Sequence, residues 1–347
     1  MEEISKMSAE ELGRLFPIIL TDYNPEWPKI YERESKKIIK AIGQNAAAIS
    51  HIGSTAVKGL KAKPAIDILL EIKEDTDLEA FKNTIISLGY EFSEQLDNPP
   101  PHMTFYKGYT PEGFLGQAYH LHIRYKGQWD EIIFRDYLRT CEKARQEYVE
   151  LKTSLQKQFK FDREGYTKAK TDFIKEALFR AKIKVRVMEK KDYYMLSEFL
   201  YQAIYVPKGQ KLPPKTIINE PEIFIYIKDF GKLAGDLGVV SEHDGNIVGM
   251  AWARIIPGYG HLDKDTPELA ISIVPKFRGK GVGTMLMDAL FNLLVKNGYK
   301  RTSLSVQKNN PAVQFYKRLG YKVSGESIDC VGHEDYLMVK ELEKSER

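Results

Sequence analysis

A glycine-rich turn between a strand and a helix constrains the fold of this chain more than any other feature. It lies in the stretch ELAISIVPKFRGKGVGTMLMDALFNLLVKNG, where an apolar strand-like segment precedes the glycines and an apolar helical face follows them. A helix that starts at such a turn exposes backbone N–H groups and the positive end of its dipole, which together favour an anion. Glycine permits the positive φ angles and the close backbone approach that this requires. We therefore predict an anion site formed by Arg278, Gly279, Lys280, Gly281, Val282, Gly283 and Thr284.

The common nucleotide-binding motifs do not account for this turn. A dinucleotide-binding turn has the pattern GxGxxG/A, but Thr284 stands where its last small residue belongs. The phosphate-binding pattern GxxxxGK[ST] is absent from the sequence. The alternative that the turn is a structural connection without a ligand stays open at this point.

Length and composition limit the classes of protein. A chain of 347 residues is long enough for two domains, and 43% apolar with 29% charged residues suits folded cores. The net charge of +4 is far below the surplus of a nucleic-acid binder, and no apolar run approaches the ~20 residues of a membrane span. The segment MEEISKMSAEELGRLF lacks the regions of a secretory signal, and Cys141 and Cys330 form no CxxC pair. We expect a cytoplasmic protein without nucleic-acid or membrane partners, of unspecified oligomeric state.

The order of predicted elements indicates an α/β (α+β) fold class with two domains. Residues 8–42 are predicted as two helices separated at Asn24-Pro25. Strands and helices then alternate until a charged helical region over residues 130–182, after which a short alternating strand starts a second series. We place the domains at residues 1–182 and 183–347.

Two motifs in the second half resemble those of the GNAT superfamily of acyl-CoA-dependent N-acetyltransferases. The first is the strand–PxxRGxGxG–helix segment, and the second is SVQKNNPAVQFYKRLGYKV, in which a strand leads into a short helix. The resemblance covers roughly residues 184–342. It implies a mixed central sheet whose strands LAISIVP and TSLSVQ splay apart around the pantetheine arm of acetyl-CoA. It also implies that the glycine turn binds the CoA pyrophosphate and that the N–H of Ile273 or Val274 bonds the thioester carbonyl.

The same resemblance implies roles for side chains around the transfer. Tyr316 is the position that GNAT enzymes often use as the acid for the departing CoA thiolate. Asn309 or Asn310 would cap the helix that carries Tyr316 and contact the cofactor. Glu268 would act as the base, directly or through water, because only the neutral form of an amine attacks a thioester. His243 and His261 are alternatives for the base. The acceptor is expected to be a small-molecule or peptide amine.

The first half resembles the GrpB family, also called UPF0157, and through it the nucleotidyltransferase superfamily. The segments YNPEWP, HIGSTAVKGLKAKPAIDI, HLHIRYKG and FRDYLR carry this resemblance, which covers about residues 15–180. It implies a mixed sheet with helices and a candidate site around a Gly-Ser turn. The candidate residues are Gly53, Ser54, Lys63, Asp67, His120 and His122.

The chemistry of this first site stays open between alternatives. Phosphoryl transfer through Mg²⁺ needs several carboxylates, but the residues two positions from Asp67 along its strand are Ala65 and Leu69. His120 and His122 share one strand face and would suit a transition metal or a phosphate contact. The domain is therefore interpreted as a site for a nucleotide or other phosphate, a nucleotidyltransferase with a divalent metal, or a module that senses a ligand.

Overall fold

The computed structural model describes residues 7–207, 209–328 and 332–342. The chain divides into two compact units, Met1–Ala181 and Lys182–Arg347, and each unit has its own sheet. The predicted mixed α/β class with two domains is confirmed. No helix within the described ranges is long and apolar enough to cross a membrane. Cys141 is a free, half-buried thiol, whereas Cys330 lies outside the described residues.

The N-terminal unit combines a five-stranded sheet with helices. Its helices are α1 (Ala9–Leu15), α2 (Trp27–Ile42), α3 (Leu78–Ser87), α4 (Asp130–Thr140), α5 (Glu142–Gln158), α6 (Arg163–Lys168) and α7 (Thr171–Ala181). Its strands are β1 (Ala46–Ile52), β2 (Ala65–Ile72), β3 (Glu91–Glu94), β4 (Met103–Thr110) and β5 (Gly113–Tyr125). The strand order is β1-β2-β5-β4-β3, with β2 and β5 parallel and the other neighbours antiparallel.

Strand β2, an internal strand of this sheet, has one apolar side and one polar side. Successive side chains of a strand point to opposite faces. Ile66, Ile68 and Leu70 lie in the main hydrophobic core together with residues of α2 and α3. Asp67 therefore points to the other face, where His120 of β5 is its partner in register. The polar face is the one that carries the candidate residues.

The C-terminal unit combines a seven-stranded sheet with helices. Its helices are α8 (Leu196–Ala203), α9 (Pro221–Phe224), α10 (Val282–Lys296) and α11 (Ala312–Arg318). Its strands are β6 (Ile183–Val187), β7 (Leu237–His243), β8 (Asn246–Arg254), β9 (Glu268–Ile273), β10 (Arg301–Gln307), β11 (Lys322–Ile328) and β12 (Glu334–Glu341). The order β11-β12-β10-β9-β8-β7-β6 places β9 beside β10 at the centre. Helix α10 is anchored because Leu286, Leu290 and Leu294 are fully buried.

Some elements differ from the sequence-based prediction. The first helix ends at Leu15 instead of near Asn24, because Pro17 cannot continue a helix. Thr21 then forms an isolated antiparallel bridge with Ala62. Strands β3, β4 and β11 have no counterpart in the prediction. β3 is only four residues long, and the other two contain a glycine, which weakens a strand pattern.

Candidate functional site

Strands β9 and β10 of the C-terminal unit meet at one end and then separate. Along the described strands, their parallel pairing consists of Ser303 opposite Glu268. By contrast, β9 pairs with β8 along its whole length, from Glu268 to Ile273. The predicted splay of the central sheet is thus confirmed. The gap between the strands opens toward Ile273 and toward the turn that leads into α10.

The backbone groups at the end of β9 face different sides. The Val274 N–H donates to the carbonyl of Val248 in β8 at 2.9 Å, so this N–H group already has a partner in the sheet. Ile273 stands opposite Gly249 in the adjacent pair, and in an antiparallel ladder the backbone groups of adjacent residues alternate in direction. The Ile273 carbonyl accordingly accepts from Arg278 Nε at 2.7 Å on the other side. Val274 is corrected to a residue of the sheet ladder, and Ile273 stays the predicted thioester donor.

The glycine loop, defined as residues 278–284, has a backbone that its glycines permit. Gly279 and Gly281 adopt φ angles of 73° and 86°, which are costly for residues with a side chain. Gly281 is the N-cap of α10. The first backbone N–H groups of α10 therefore have no acceptor within the helix. An anion bound at this loop would accept hydrogen bonds from these N–H groups.

The other loop residues fix the start of α10 against the sheet. Val282 is buried in the core. A Cβ atom at Gly283 would lie 3.1 Å from Phe315 Cζ and 3.3 Å from Ile273 Cδ1, so a side chain there would crowd both neighbours. The Arg278 side chain is occupied by the Ile273 carbonyl and, at 3.3 Å, by the Gln202 carbonyl. Lys280 is exposed and Thr284 half-buried, which leaves both side chains near the loop surface.

Glu268 is a buried carboxyl at the point where β9 and β10 diverge. It is 3% exposed. Its Oε1 accepts from the Tyr226 hydroxyl and from the Gly260 N–H, the latter at 2.7 Å. Its Oε2 has no hydrogen-bond partner within the part of the chain that the structure describes. Burial raises the pKa of Glu268 to about 7, although the two hydrogen bonds oppose this rise.

Tyr316 and Asn309 lie on and before α11. Tyr316 is half-buried between Phe315 and Tyr321, at ring-centroid distances of 5.5 and 5.8 Å. Burial raises the pKa of Tyr316 to about 12, so its hydroxyl keeps its proton at neutral pH. Asn309 is exposed, and its carbonyl accepts from the Tyr205 hydroxyl at 3.2 Å. The side chain of the neighbouring Asn310 accepts from the Ala312 N–H at the start of α11, at 2.9 Å.

The two alternative bases have other partners. His243, at the end of β7, pairs with Asp244 at 3.1 Å and packs against the Phe277 ring. His261 is exposed, and its Nδ1 donates to the Ile256 carbonyl at 2.9 Å. In this region of the described chain Glu268 has the environment of a proton acceptor, because burial places its pKa near neutrality.

In the N-terminal unit, Asp67 and His120 form the centre of the polar face. His120 Nδ1 donates to Asp67 Oδ1 at 2.8 Å, and His120 Nε2 lies 2.6 Å from the Tyr109 hydroxyl. Burial opposes ionisation of Asp67, but the hydrogen bond from His120 and the charge of Lys63 lower its pKa. Asp67 is therefore a stable carboxylate held by positive and polar groups.

The Gly-Ser turn is packed onto this carboxylate. Gly53 has a φ angle of 70°, and a Cβ atom there would collide with the Asp67 side chain, so glycine is required. Ser54 Oγ accepts from Lys152 Nζ at 3.1 Å. Burial lowers the pKa of Lys63, and the nearby Arg163 lowers it further. The sequence-predicted Gly53, Ser54, Lys63 and Asp67 are thus brought together.

Histidines near this site are poor candidates for charged groups. Burial lowers the pKa of His122 to about 4, and that of His51 also to about 4. His51 is a core residue that stacks on Tyr31 at 4.7 Å and bonds Thr55 Oγ1 at 3.0 Å. Among the described residues, no group of three or more His, Cys, Asp or Glu side chains is arranged to hold a metal ion.

Comparisons with known proteins match each half separately. A family model described as GrpB protein matches residues 17–180, and one described as Acetyltransferase (GNAT) family matches residues 205–321. A UPF0157 protein of Halalkalibacterium halodurans is 33% identical over 184 residues, which cover 52% of this chain and 91% of that protein. This chain belongs to the GrpB family and carries a GNAT acetyltransferase domain.

Further relatives agree with this assignment. A UPF0157 protein of Pseudomonas aeruginosa is 36% identical over 159 residues, covering 46% of this chain and 65% of that protein. An uncharacterized N-acetyltransferase of Mycobacterium bovis is 35% identical over 108 residues, covering 30% and 66% respectively. The GNAT domain thus belongs to the acyltransferase enzymes. This chain spans about two thirds of the length of these two relatives.

The sequence interpretation missed several residues that the two sites contain. In the GNAT domain these are Tyr226 and Gly260, which hold Glu268; the Pro-Gly-Tyr-Gly segment that contains Gly260 was the available signal. In the GrpB domain one missed residue is Lys152. It shares one face of α5 with the buried Tyr148 and Leu155, where a lysine is unusual.

Proposed function

We propose that the GNAT domain transfers an acetyl group from acetyl-CoA to a primary amine by direct attack. The observation that carries this proposal is the single-pair junction of β9 and β10, which leaves a gap that ends at the glycine loop. A gap of this kind gives an extended thioester arm backbone partners along β9. The loop at its end offers helix N–H groups to the pyrophosphate.

The backbone of Ile273 is the proposed oxyanion donor. Its N–H faces the side of β9 that β8 does not use. As the amine nitrogen forms a bond to the carbonyl carbon, negative charge develops on the carbonyl oxygen, and a fixed N–H stabilises it. The carbon–sulfur bond then breaks and the electron pair leaves with the CoA sulfur.

Glu268 and Tyr316 are proposed to move the two protons. Glu268 Oε2, which has no partner in the described chain, would accept the proton of the amine directly or through water. A carboxyl with a pKa of about 7 is suited to this exchange near neutral pH. Tyr316 would donate its hydroxyl proton to the departing thiolate, since its raised pKa keeps that proton in place.

The amine acceptor is proposed as a small molecule or a peptide. The segment between α8 and β7 carries the tyrosine, proline and isoleucine residues of a partly apolar binding loop. Lys215 of this segment is paired with Glu198 of α8 at 2.8 Å. The two acceptor classes differ in length, so a screen of free CoA release over amino acids, polyamines, aminoglycosides and peptides separates them.

For the GrpB domain we propose a binding site for phosphate groups. The observation behind this is the set of cationic and hydroxyl groups around Asp67, which includes Lys63, Ser54 and Lys152. Such groups bind anions, whereas Mg²⁺ prefers several carboxylates. The alternatives are a nucleotidyltransferase and a ligand-sensing module, and titration with ATP in the presence and absence of Mg²⁺ distinguishes them.

The donor site is tested with Gly281→Glu. The added carboxylate would stand where the pyrophosphate is expected, so acetyl-CoA binding should be lost. Gly281→Ala is the matched control, because it has the same positive-φ strain without the negative charge, and it should retain measurable binding. The affinity for acetyl-CoA is measured by calorimetry in both variants. Unchanged affinity in Gly281→Glu would contradict the proposed donor site.

A further inference from the structure

Three lysines converge beside the Gly-Ser turn of the GrpB domain. Lys152 is 2% exposed, and its Nζ donates to Ser54 Oγ at 3.1 Å and to a backbone carbonyl of the following loop. Lys63 and Lys170 both lie over the ring of Tyr166, with Nζ 5.7 and 4.4 Å from its centroid. These three residues, which come from separate segments, are called the lysine cluster below.

The lysine cluster differs in its partners from several exposed lysines of this domain. Lys29, Lys36 and Lys168 are exposed and pair with glutamates three or four residues away, at 2.6–2.7 Å. Among the described residues, no Asp or Glu oxygen lies within 4.0 Å, the limit for an ion pair, of an ammonium nitrogen of the cluster. Cations that are withdrawn from water favour a ligand that supplies negative charge.

The protonation of the cluster points to the same kind of ligand. Burial lowers the pKa of Lys152 to about 7, and the charges of Lys170 and Lys63 contribute to this shift. Burial also lowers the pKa of Lys170 to about 8, with Lys63 again contributing and the Asp67 carboxylate opposing this shift. A bound anion would favour the ammonium forms and raise both pKa values. Its binding would therefore be accompanied by proton uptake near neutral pH.

We propose that the lysine cluster binds the linked phosphates of a diphosphate or triphosphate group. This inference rests on the phosphate-binding role proposed for the GrpB domain and names the residues that perform it. Lys152 lies over Tyr148, 4.7 Å from the centroid, and the other two lie over Tyr166. Because the ammonium groups lie over two different rings, they suit two or three linked phosphate groups better than a single phosphate ion. Free pyrophosphate and a nucleotide tail share this chemistry.

The test uses full-length protein carrying Gly281→Glu, so that the glycine loop of the GNAT domain does not contribute. Phosphate, pyrophosphate and ATP are titrated separately by calorimetry. We expect pyrophosphate or ATP to bind, and Lys152→Gln and Lys170→Gln each to weaken that binding about ten- to a hundredfold, because each removes a charge-assisted hydrogen bond. Lys168→Gln is the matched control and should bind normally, since this lysine is exposed and paired with Glu164. Tighter binding of ATP identifies a nucleotide as the source.

Each contrary result has a separate meaning. Unchanged affinity in both cluster variants overturns the assignment of the lysines but leaves a phosphate site elsewhere in the domain. If none of the three ligands binds, both the inference and the proposed phosphate-binding role are wrong. Should Lys152→Gln fail to fold, the half-buried Lys170 decides alone.

Proton uptake provides a second measurement on the unaltered cluster. The binding heat is compared in two buffers of different ionisation enthalpy, and the difference gives the protons taken up. The loss of one lysine in Lys170→Gln should reduce this number, and subtracting the two proteins removes the ligand's own titration. Equal uptake in both proteins contradicts the inference.

Discussion

Each domain of this protein has a candidate carboxyl group at a pair of parallel strands, and the pKa values of the two groups shift in opposite directions. Asp67 of β2 stands opposite His120 of β5, and the hydrogen bond from His120 and the charge of Lys63 lower its pKa despite burial. Glu268 lies where β9 meets β10 and has only uncharged donors, Tyr226 and a backbone N–H, so burial raises its pKa to about 7. The charge of the partners therefore decides whether such a carboxyl is ionised at neutral pH. One is a fixed anion that organises cations, and the other can exchange a proton.

The largest expected effect is that of Glu268→Gln on acetyl transfer. If Glu268 accepts the proton of the amine, the change should lower kcat by about 100-fold or more, since general-base catalysis contributes about 10²–10⁴-fold. Acetyl-CoA affinity should stay unchanged, because the glycine loop is intact. Initial rates of CoA release at saturating acetyl-CoA, with calorimetry for affinity, make the measurement.

The pH dependence of the same variant tests whether Glu268 is the group that exchanges the proton. The base must be ionised to accept a proton, so the wild-type kcat/KM should rise with pH through the Glu268 pKa of about 7. The glutamine variant should lack this rise. A rise that persists unchanged would assign the titrating group elsewhere, with His261 and His243 as the remaining candidates.

The second expected effect is that of Asp67→Asn on stability. The pKa of Asp67 is lower in the folded state, so its ionised form stabilises the fold above the unfolded pKa of about 4, and this contribution is lost as pH falls through the folded value. At neutral pH the variant should lose about 1–3 kcal/mol, the usual worth of a hydrogen bond to a charged group. Urea unfolding at neutral and acidic pH should show that the difference narrows in acid. A constant difference at all pH values would contradict the ionised state.

Local patterns in the sequence were sufficient to predict the glycine loop, whereas the splay was predicted from the resemblance to the GNAT superfamily. Gly279 and Gly281 adopt the positive φ angles that their clustering indicated, and helix α10 starts directly after them. These features depend on residues close together in the chain. The two-domain α/β class follows from similar evidence, because alternating strand and helix patterns are also local.

The partners of the carboxyl groups could not be predicted in the same way. Tyr226 is 42 residues from Glu268, and Lys152 is 98 residues from Ser54, so neither contact leaves a pattern within one segment. The pKa of Glu268 depends on burial by the whole fold. Lys152 stands within a charged helix, where most lysines are solvated, and its position on the buried stripe of α5 becomes informative only when that face is known.

A smaller effect is expected from Tyr316→Phe. Loss of the hydroxyl removes the proposed proton donor to the CoA thiolate, so kcat should fall by about tenfold, at or below the lower end of general-acid contributions. Acetyl-CoA affinity should change little. If CoA leaves as a thiolate, it needs no proton donor. The rate of the variant would then equal that of the wild type, and the acid role of Tyr316 would be wrong.

The smallest effect tests whether the partners of Glu268 set its pKa. The Tyr226 hydroxyl donates to Glu268 and lowers its pKa, so Tyr226→Phe should move the rise in kcat/KM to higher pH. A shift of about half a pKa unit would reduce the rate at pH 7 by about twofold and leave the rate at high pH unchanged. Tyr193→Phe, in the same hydrophobic cluster, is the control and should not move the profile. A uniform loss of rate at all pH values would instead mean that Tyr226 positions the carboxyl without tuning its pKa, and the contrast with Asp67 would then depend on the burial of Glu268 and on the charged partners of Asp67.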